Sequence, residues 1–288
     1  MRLVQFVRKA AGQARLFGAE LSDGGDLVDL THIAPSTLDF LRAGDSAVTV
    51  AESYLATSPK TIARAEVELL APVTSMDKVI CIGMNYKDHC EEQGLPIPKE
   101  PLVFNKFPSC VAAPSADLPL PTITEQLDWE VELCIVIGKE ARKVSKEQAM
   151  DFVFGFTAAH DVSARDWQLK RNGGQWLLGK AMEAFAPIGP AIVTKEEIGD
   201  PNNLNLSCKV NGELKQDSNT SQFVFNVSDV ISWVSIFTTL YPGDIILTGT
   251  PPGVGAFMKP PQFLKVGDVV ECSVQKIGTV VNKIVAEK

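Results

Sequence analysis

The segment Asp128-Trp129-Glu130-Val131-Glu132-Leu133 sets two carboxylates two residues apart among apolar neighbours. On a strand, residues two apart share a face, so Glu130 and Glu132 would project together while Val131 and Leu133 face the core. Adjacent carboxylates repel and need positive charge between them. A solvated acidic strand face is the bland explanation. A hard cation on oxygen ligands, magnesium, manganese or calcium, is the chemical one. A Glu-x-Glu pair alone does not choose between them.

Further along, His160-Asp161-Val162-Ser163-Ala164-Arg165-Asp166 follows a short apolar run. Asp161 at the end of such a strand could supply a third carboxylate. Arg165 could clamp a substrate carboxylate through its two-pronged fork. The plainer alternative is an Asp-capped turn with Arg165 pairing Asp166. In Gly83-Met84-Asn85-Tyr86-Lys87-Asp88-His89-Cys90-Glu91-Glu92, His89 and Glu92 lie three apart. On a short helix they share a face, and the carboxylate can orient and polarise the imidazole. Such pairs are also common on helix surfaces without any catalytic part.

Gly174-Gln175-Trp176-Leu177-Leu178-Gly179-Lys180-Ala181 approaches a phosphate-loop pattern. It lacks the Ser or Thr after the lysine, and its bulky interior would keep backbone amides from phosphates, which argues against nucleotide binding. Lys180 remains a cation beside an apolar stretch, suited to stabilising a developing oxyanion. Leu247-Thr248-Gly249-Thr250-Pro251-Pro252-Gly253-Val254-Gly255 reads as a rigid turn after a strand. Its amides and the Thr250 hydroxyl could hold a carboxylate, or it is only a good turn.

The elements that must position these groups are mostly strands. Apolar or alternating runs predict strands over residues 2–7, 14–21, 78–82, 133–137, 154–159, 204–210, 245–247, 269–274 and 279–285. Asn211-Gly212 is a hairpin signal, and Gly24-Gly25 a turn. A helix is expected over residues 47–57. Ser145 with Gln148 forms a capping-box pattern opening a helix through Val153. Ser228 is the expected cap of another, with Val230, Ile231, Val234, Phe237 and Leu240 on one face. Strands do not alternate regularly with helices, which argues against a doubly wound parallel sheet. The expected architecture is strand-rich α+β, a mixed-sheet roll or barrel. A small α/β unit over residues 1–72 would precede a catalytic domain over 73–288.

With 288 residues there is ample chain for a large core, and 45% apolar and 22% charged residues are ordinary for a soluble protein. A net charge of -8 argues against nucleic-acid and anionic-membrane partners. The six cysteines are scattered with no C-x-x-C pair, which predicts reduced thiols and no cysteine-ligated zinc. The longest uncharged apolar-rich run is too short to span a bilayer. Residues 1–19 carry Arg2, Arg8, Lys9 and Arg15 and no acid, superficially like a transit peptide. Alternation within residues 3–8 favours a first strand instead.

Six stretches, GMNYKDHCEE, LDWEVELCIVIGKE, FTAAHDVSARDWQ, GKAMEAFAPIGP, KVNGELKQDSNTS and YPGDIILTGTPPGVG, occur in the order and spacing of the fumarylacetoacetate hydrolase family. The resemblance covers most of residues 78–285 and extends into MRLVQF at the start. It implies the family's β-rich roll and a homodimer. It implies a magnesium or manganese ion on Glu130, Glu132 and Asp161, with His89 and Glu92 on a mobile lid. Lys180, Arg165, Gln168 and Thr250 match positions around the substrate. The larger members' extra amino-terminal barrel and fourth metal carboxylate have no clear counterpart here, which points away from fumarylacetoacetate itself. Short members include acylpyruvate hydrolases, oxaloacetate decarboxylases and oxaloacetate tautomerases. The resemblance therefore implies a small dicarboxylic or 2-oxo acid substrate reacting through an enolate. Keto–enol tautomerisation of oxaloacetate leads, and acylpyruvate hydrolysis and decarboxylation follow. A non-catalytic metabolite-binding protein is the reading from another class. The compartment expected is the mitochondrial matrix or cytoplasm.

Overall fold

The computed structural model describes residues 1–10 and 14–287. Its main sheet has eleven strands. The path through it runs Leu27–Asp29, Leu16–Glu20, Arg2–Arg8, Ala186–Thr194, Val153–His160, Val131–Ile137, Ile245–Leu247, Val79–Gly83 and Leu102–Lys106. A five-stranded sheet packs on it, ordered Glu213–Asn219, Asn205–Val210, Val269–Val274, Gly278–Ala286 and Leu118–Leu120. The main path ends on edge strands and does not close, so the expected roll is present and a closed barrel is not.

Val131–Ile137 is the pivot. It pairs antiparallel with Val153–His160 on one side and with Ile245–Leu247 on the other, and every residue of it is buried. Its alternate side chains feed two cores. Val131, Leu133, Ile135 and Ile137 pack with Leu206, Cys208, Val270 and Cys272 of the smaller sheet. Cys134 and Val136 pack on the opposite face with Phe17 and Phe40. A strand buried on both faces does not alternate polar and apolar residues, which explains the apolar run Leu133–Ile137 that follows Glu132. Glu130 and Glu132 share the parity of Cys134 and Val136, opposite Val131 and Leu133, as the alternation predicts.

Antiparallel pairing brings the start of this strand beside the end of Val153–His160, since Val131 lies opposite His160. Leu247 aligns with both Cys134 and Cys81, so Ile245–Leu247 and Val79–Gly83 also end on this side. Residues 83–92, 128–132, 160–165 and 247–255 therefore gather at one end of the sheet. Arg2, from the basic leading segment, is buried, bonding Glu20 at 3.0 Å and the Ile277 carbonyl at 2.8 Å. Its strand pairs with Ala186–Thr194, so the leading residues share the main sheet.

Several expectations shift. The capping box at Ser145 does not form. Only a 3-10 turn, Ala149–Phe152, precedes the strand at Val153, and its cap has no side-chain bond. Between Ser145 and Val153 only Ala149 is buried, too little apolar surface to hold two helical turns. The later helix, Val227–Phe237, is capped by Asn226 rather than Ser228, in a reciprocal box with Asp229. Val230, Ile231 and Val234 are buried as expected, but Phe237 is 68% exposed and Leu240 lies beyond the helix. The helix over 47–57 appears as Asp45–Leu55. All six cysteines are free and buried. No helix among the described residues is long and apolar enough to cross a membrane.

Candidate metal centre and active site

Glu130, Glu132 and Asp161 converge: one carboxylate oxygen from each lies within 4.8 Å of the other two, and all three residues are buried. Glu130, just before the strand Val131–Ile137, and Glu132 within it reach this point from the same side, and Asp161 from the turn leaving Val153–His160, where its amide donates to the Glu130 carbonyl at 2.9 Å. Three cations accompany them. Lys180 Nζ donates to Glu130 Oε2 at 2.8 Å and Asp161 Oδ2 at 3.0 Å. Lys106 Nζ lies 2.7 Å from Asp161 Oδ1, and Arg165 Nη2 lies 2.6 Å from Glu130 Oε1.

The cluster's electrostatics follow from this pairing. Burial raises the Glu130 pKa, but Lys180 and Arg165 outweigh it and hold the group at about 2. Burial alone would discharge Lys180, yet Asp161 and Glu130 keep its pKa above the ordinary lysine value. Glu132 has the opposite fate. Burial, then Asp161, then Glu130, push its pKa well up, and its bond from the Gly249 amide at 2.6 Å does not compensate. Counting Asp128, the cluster holds four carboxyl groups against three cations, so ionising all four would leave one net negative charge. A wholly oxygen donor set, crowded enough that one carboxyl resists ionisation, fits a hard divalent cation.

A cavity of 260 Å³ opens on this cluster, lined by Glu130, Glu132, Lys180, Arg165, Gln168 and Thr250 on one wall. His89 faces it from the short helix Lys87–Glu92, and Trp176, Phe104 and Phe257 close it with apolar surface. Glu92 stands behind His89, accepting from Nδ1 at 2.8 Å and from the Gly253 amide at 2.9 Å, which ties the helix to the 247–255 turn. Gly253 has φ 99°, and a Cβ there would lie 2.0 Å from the Lys215 carbonyl oxygen, so the turn requires glycine. Asp161 sits behind Lys180 and Lys106 rather than on the cavity wall.

The anticipated roles meet specific constraints. Arg165 does not pair with Asp166. Its Nε donates to Asp128 Oδ2 and its Nη1 to Gln168 Oε1, both at 2.8 Å. With Nη2 on Glu130, one N–H remains on each terminal nitrogen for a ligand. Thr250 already gives its hydroxyl hydrogen to the Val131 carbonyl at 3.0 Å, so only a lone pair is left on that oxygen. Gln168 rides on a π-helical turn, Asp166–Lys170, a local distortion frequent at functional sites.

Four participants escaped the sequence reading. Asp128 lies two residues before Glu130, and the period-two series Asp128, Glu130, Glu132 was a signal for it. It anchors Arg165 and accepts from the Gly255 and Ala256 amides at 2.7 and 3.0 Å. Lys106 carried no signal. It is 1% exposed and donates to the carbonyls of Val162, Lys180 and Phe185 at 2.6 to 2.9 Å. Gln216 bonds the Val131 amide and the Thr250 hydroxyl, each within 2.9 Å, from a strand distant in sequence. Gln93, four residues after His89, lies 2.7 Å from its Nε2.

The model of the fumarylacetoacetate hydrolase C-terminal family matches residues 78–285, which carry every site residue above. The chain belongs to this family. The chain is 52% identical to "Oxaloacetate tautomerase fahd2, mitochondrial" of Xenopus laevis, over 99% of its own length and 90% of the relative's. Two solved structures of the family overlay it end to end. Fumarylacetoacetate hydrolase from Exiguobacterium antarcticum is 34% identical, covers all of both chains and superposes with a TM-score of 0.86. Maleylpyruvate hydrolase from Sphingobium, solved with manganese(II) and pyruvate, is 28% identical, with the same full coverage and a TM-score of 0.83.

Proposed function

We propose that the chain is a divalent-metal-dependent oxaloacetate keto–enol tautomerase. The convergence of Glu130, Glu132 and Asp161 beside one small cavity carries the reading. The relative's name supplies the substrate. A cavity of 260 Å³ lies below the usual range for drug-sized ligands, in keeping with a short-chain acid. The three carboxylates would hold magnesium, or manganese as in the Sphingobium enzyme. With a divalent ion the cluster's net charge becomes positive, favouring an anionic substrate.

When bound, the ion supplies Lewis-acid polarisation of the keto oxygen and lowers the cost of enolate character. The side chains do the rest. Arg165, through its two remaining N–H groups, and Gln168 orient a substrate carboxylate. Thr250 shapes the wall beside it. Lys180 moves the proton: Nζ gives one to C3 of the enol and takes back the hydroxyl proton from the oxygen on C2, so the lysine ends as it began. The apolar side chains of Trp176, Phe104 and Phe257 keep bulk water from the reacting carbon.

The test follows the ultraviolet absorbance of enol-oxaloacetate. Added magnesium or manganese should accelerate its decay in proportion to protein, and a chelator should remove the acceleration. Full activity in metal-free buffer with chelator contradicts the reading. Cleavage of an acylpyruvate is the second reading, favoured by the His89–Glu92 pair at 2.8 Å, which could orient a water.

A homodimer is part of the proposal. The edge strand Leu102–Lys106 and the helix Val227–Phe237 flank a groove of 660 Å³. Val103, Phe107, Ile236 and Phe237 stand 46 to 68% exposed nearby, an apolar area suited to a partner copy. Light scattering in solution should give twice the chain mass, and Phe237→Glu should shift it toward the monomer. A monomeric wild type ends that part. The proposal includes no nucleic-acid or membrane partner and places the protein in the mitochondrial matrix or cytoplasm.

A further inference from the structure

We propose that Gln93 determines which reaction this site performs, by occupying the ring nitrogen that His89 would need to activate water. The inference rests on the reading of the cavity as a site for 2-oxo acids. His89 is almost fully buried, and both ring nitrogens are engaged. Nδ1 lies 2.8 Å from Glu92 Oε2, and an ionised carboxylate only accepts, so Nδ1 carries the proton. In the neutral ring Nε2 is then a lone pair, and it faces Gln93 Nε2 at 2.7 Å. Turning the amide over does not free it, because an amide oxygen there would require a proton on Nε2 and would equally exclude a base.

Local geometry maintains the contact. His89 and Gln93 are four residues apart, and Gln93 ends the helix Lys87–Glu92, with its own amide donating to the His89 carbonyl at 3.2 Å. The side chains of both line the cavity. Gln93 Nε2 also points to Met84 Sδ at 3.5 Å, and the Phe257 ring stands edge-on to the imidazole with centroids 6.0 Å apart. Glu92 fixes the other side of the ring through the Gly253 amide, so the imidazole cannot swing away from Gln93 without breaking that tie.

The consequence separates two reactions. Hydrolysis needs Nε2 to take a proton from water as its oxygen bonds to the distal carbonyl carbon. The carbon–carbon bond then breaks, its electron pair remains on the pyruvate enolate, and His89 returns the proton to that carbon. With the Gln93 N–H on Nε2, no lone pair is available for the first transfer. Tautomerisation moves one proton between C3 and the C2 oxygen, a task Lys180 performs without water, and it proceeds with His89 closed.

The experiment measures two activities on the metal-loaded protein: enol-oxaloacetate decay, and pyruvate release from an acylpyruvate. Gln93→Ala should raise the ratio of cleavage to tautomerisation about tenfold or more, the equivalent of one hydrogen bond removed from the base. The gain should vanish in His89→Ala/Gln93→Ala. Gln93→Met, equal in length but with no N–H, should shift the ratio in the same direction and serves if the alanine variant folds poorly. An unchanged ratio in both single variants overturns the proposal, as does a gain that survives loss of His89. A wild type inert toward enol-oxaloacetate, with cleavage still rising in Gln93→Ala, overturns the tautomerase reading and leaves the role of Gln93 standing.

Discussion

Glu132→Gln is expected to abolish metal-dependent turnover while making the metal-free protein more stable. The activity loss should reach about three orders of magnitude, the effect of losing several kcal/mol of Lewis-acid stabilisation. The stability gain comes from electrostatics. Burial and the neighbouring Asp161 and Glu130 raise the folded-state pKa of Glu132 above its ordinary value. A carboxyl with a raised folded pKa contributes its full stability below the unfolded pKa, and loses it as pH rises through the folded value. Wild-type protein without metal should therefore lose stability as pH rises above the ordinary carboxyl range. The glutamine variant, neutral throughout and still able to accept from the Gly249 amide, should lose less and melt a few degrees higher at neutral pH. Saturating magnesium reverses the order, since binding to the native state raises the wild-type melting temperature and not the variant's. Melting curves over a pH series with and without magnesium check each part. A magnesium-induced rise of equal size in both proteins would exclude Glu132 as a ligand.

Lys180→Met is expected to damage activity and stability separably. The lysine is 1% exposed and bridges Glu130 and Asp161, so its removal leaves two buried carboxylates with less compensation. Breaking a buried pair of this kind costs about 3 kcal/mol, moderated here because Lys106 still meets Asp161 and Arg165 still meets Glu130. A divalent ion replaces the missing charge, so manganese should restore the melting temperature. It does not replace a proton carrier, and tautomerisation should stay depressed about a hundredfold or more. A variant that regains both stability and turnover with manganese would reduce Lys180 to a counter-ion.

Much of the site was legible because its chemistry is written at short range. Glu130 and Glu132 share a face through strand alternation, and their shared parity with Cys134 and Val136 carries through the fold. His89 and Glu92 meet because a helix places residues three apart side by side, and they bond at 2.8 Å. The failures were also local. The pattern at Ser145 lacked apolar surface to bury, and the cap at Asn226 outcompeted Ser228 because Asp229 could answer it reciprocally.

By itself the sequence determined the strand-rich class, the paired glutamates and their direction, the His89–Glu92 couple and, through its motifs, the family. Only the tertiary structure decided what completes each group. Lys106 reaches Asp161 from an edge strand 55 positions away in the chain. Gln216 ties Thr250 to the glutamate strand from another sheet, and Asp128 takes the Nε–H of Arg165. Periodicity governs which side chains share a face within one element. Which cation lies against which carboxylate, and which lone pair remains free, depends on how separate elements pack, and pairing between distant segments leaves no period in the chain.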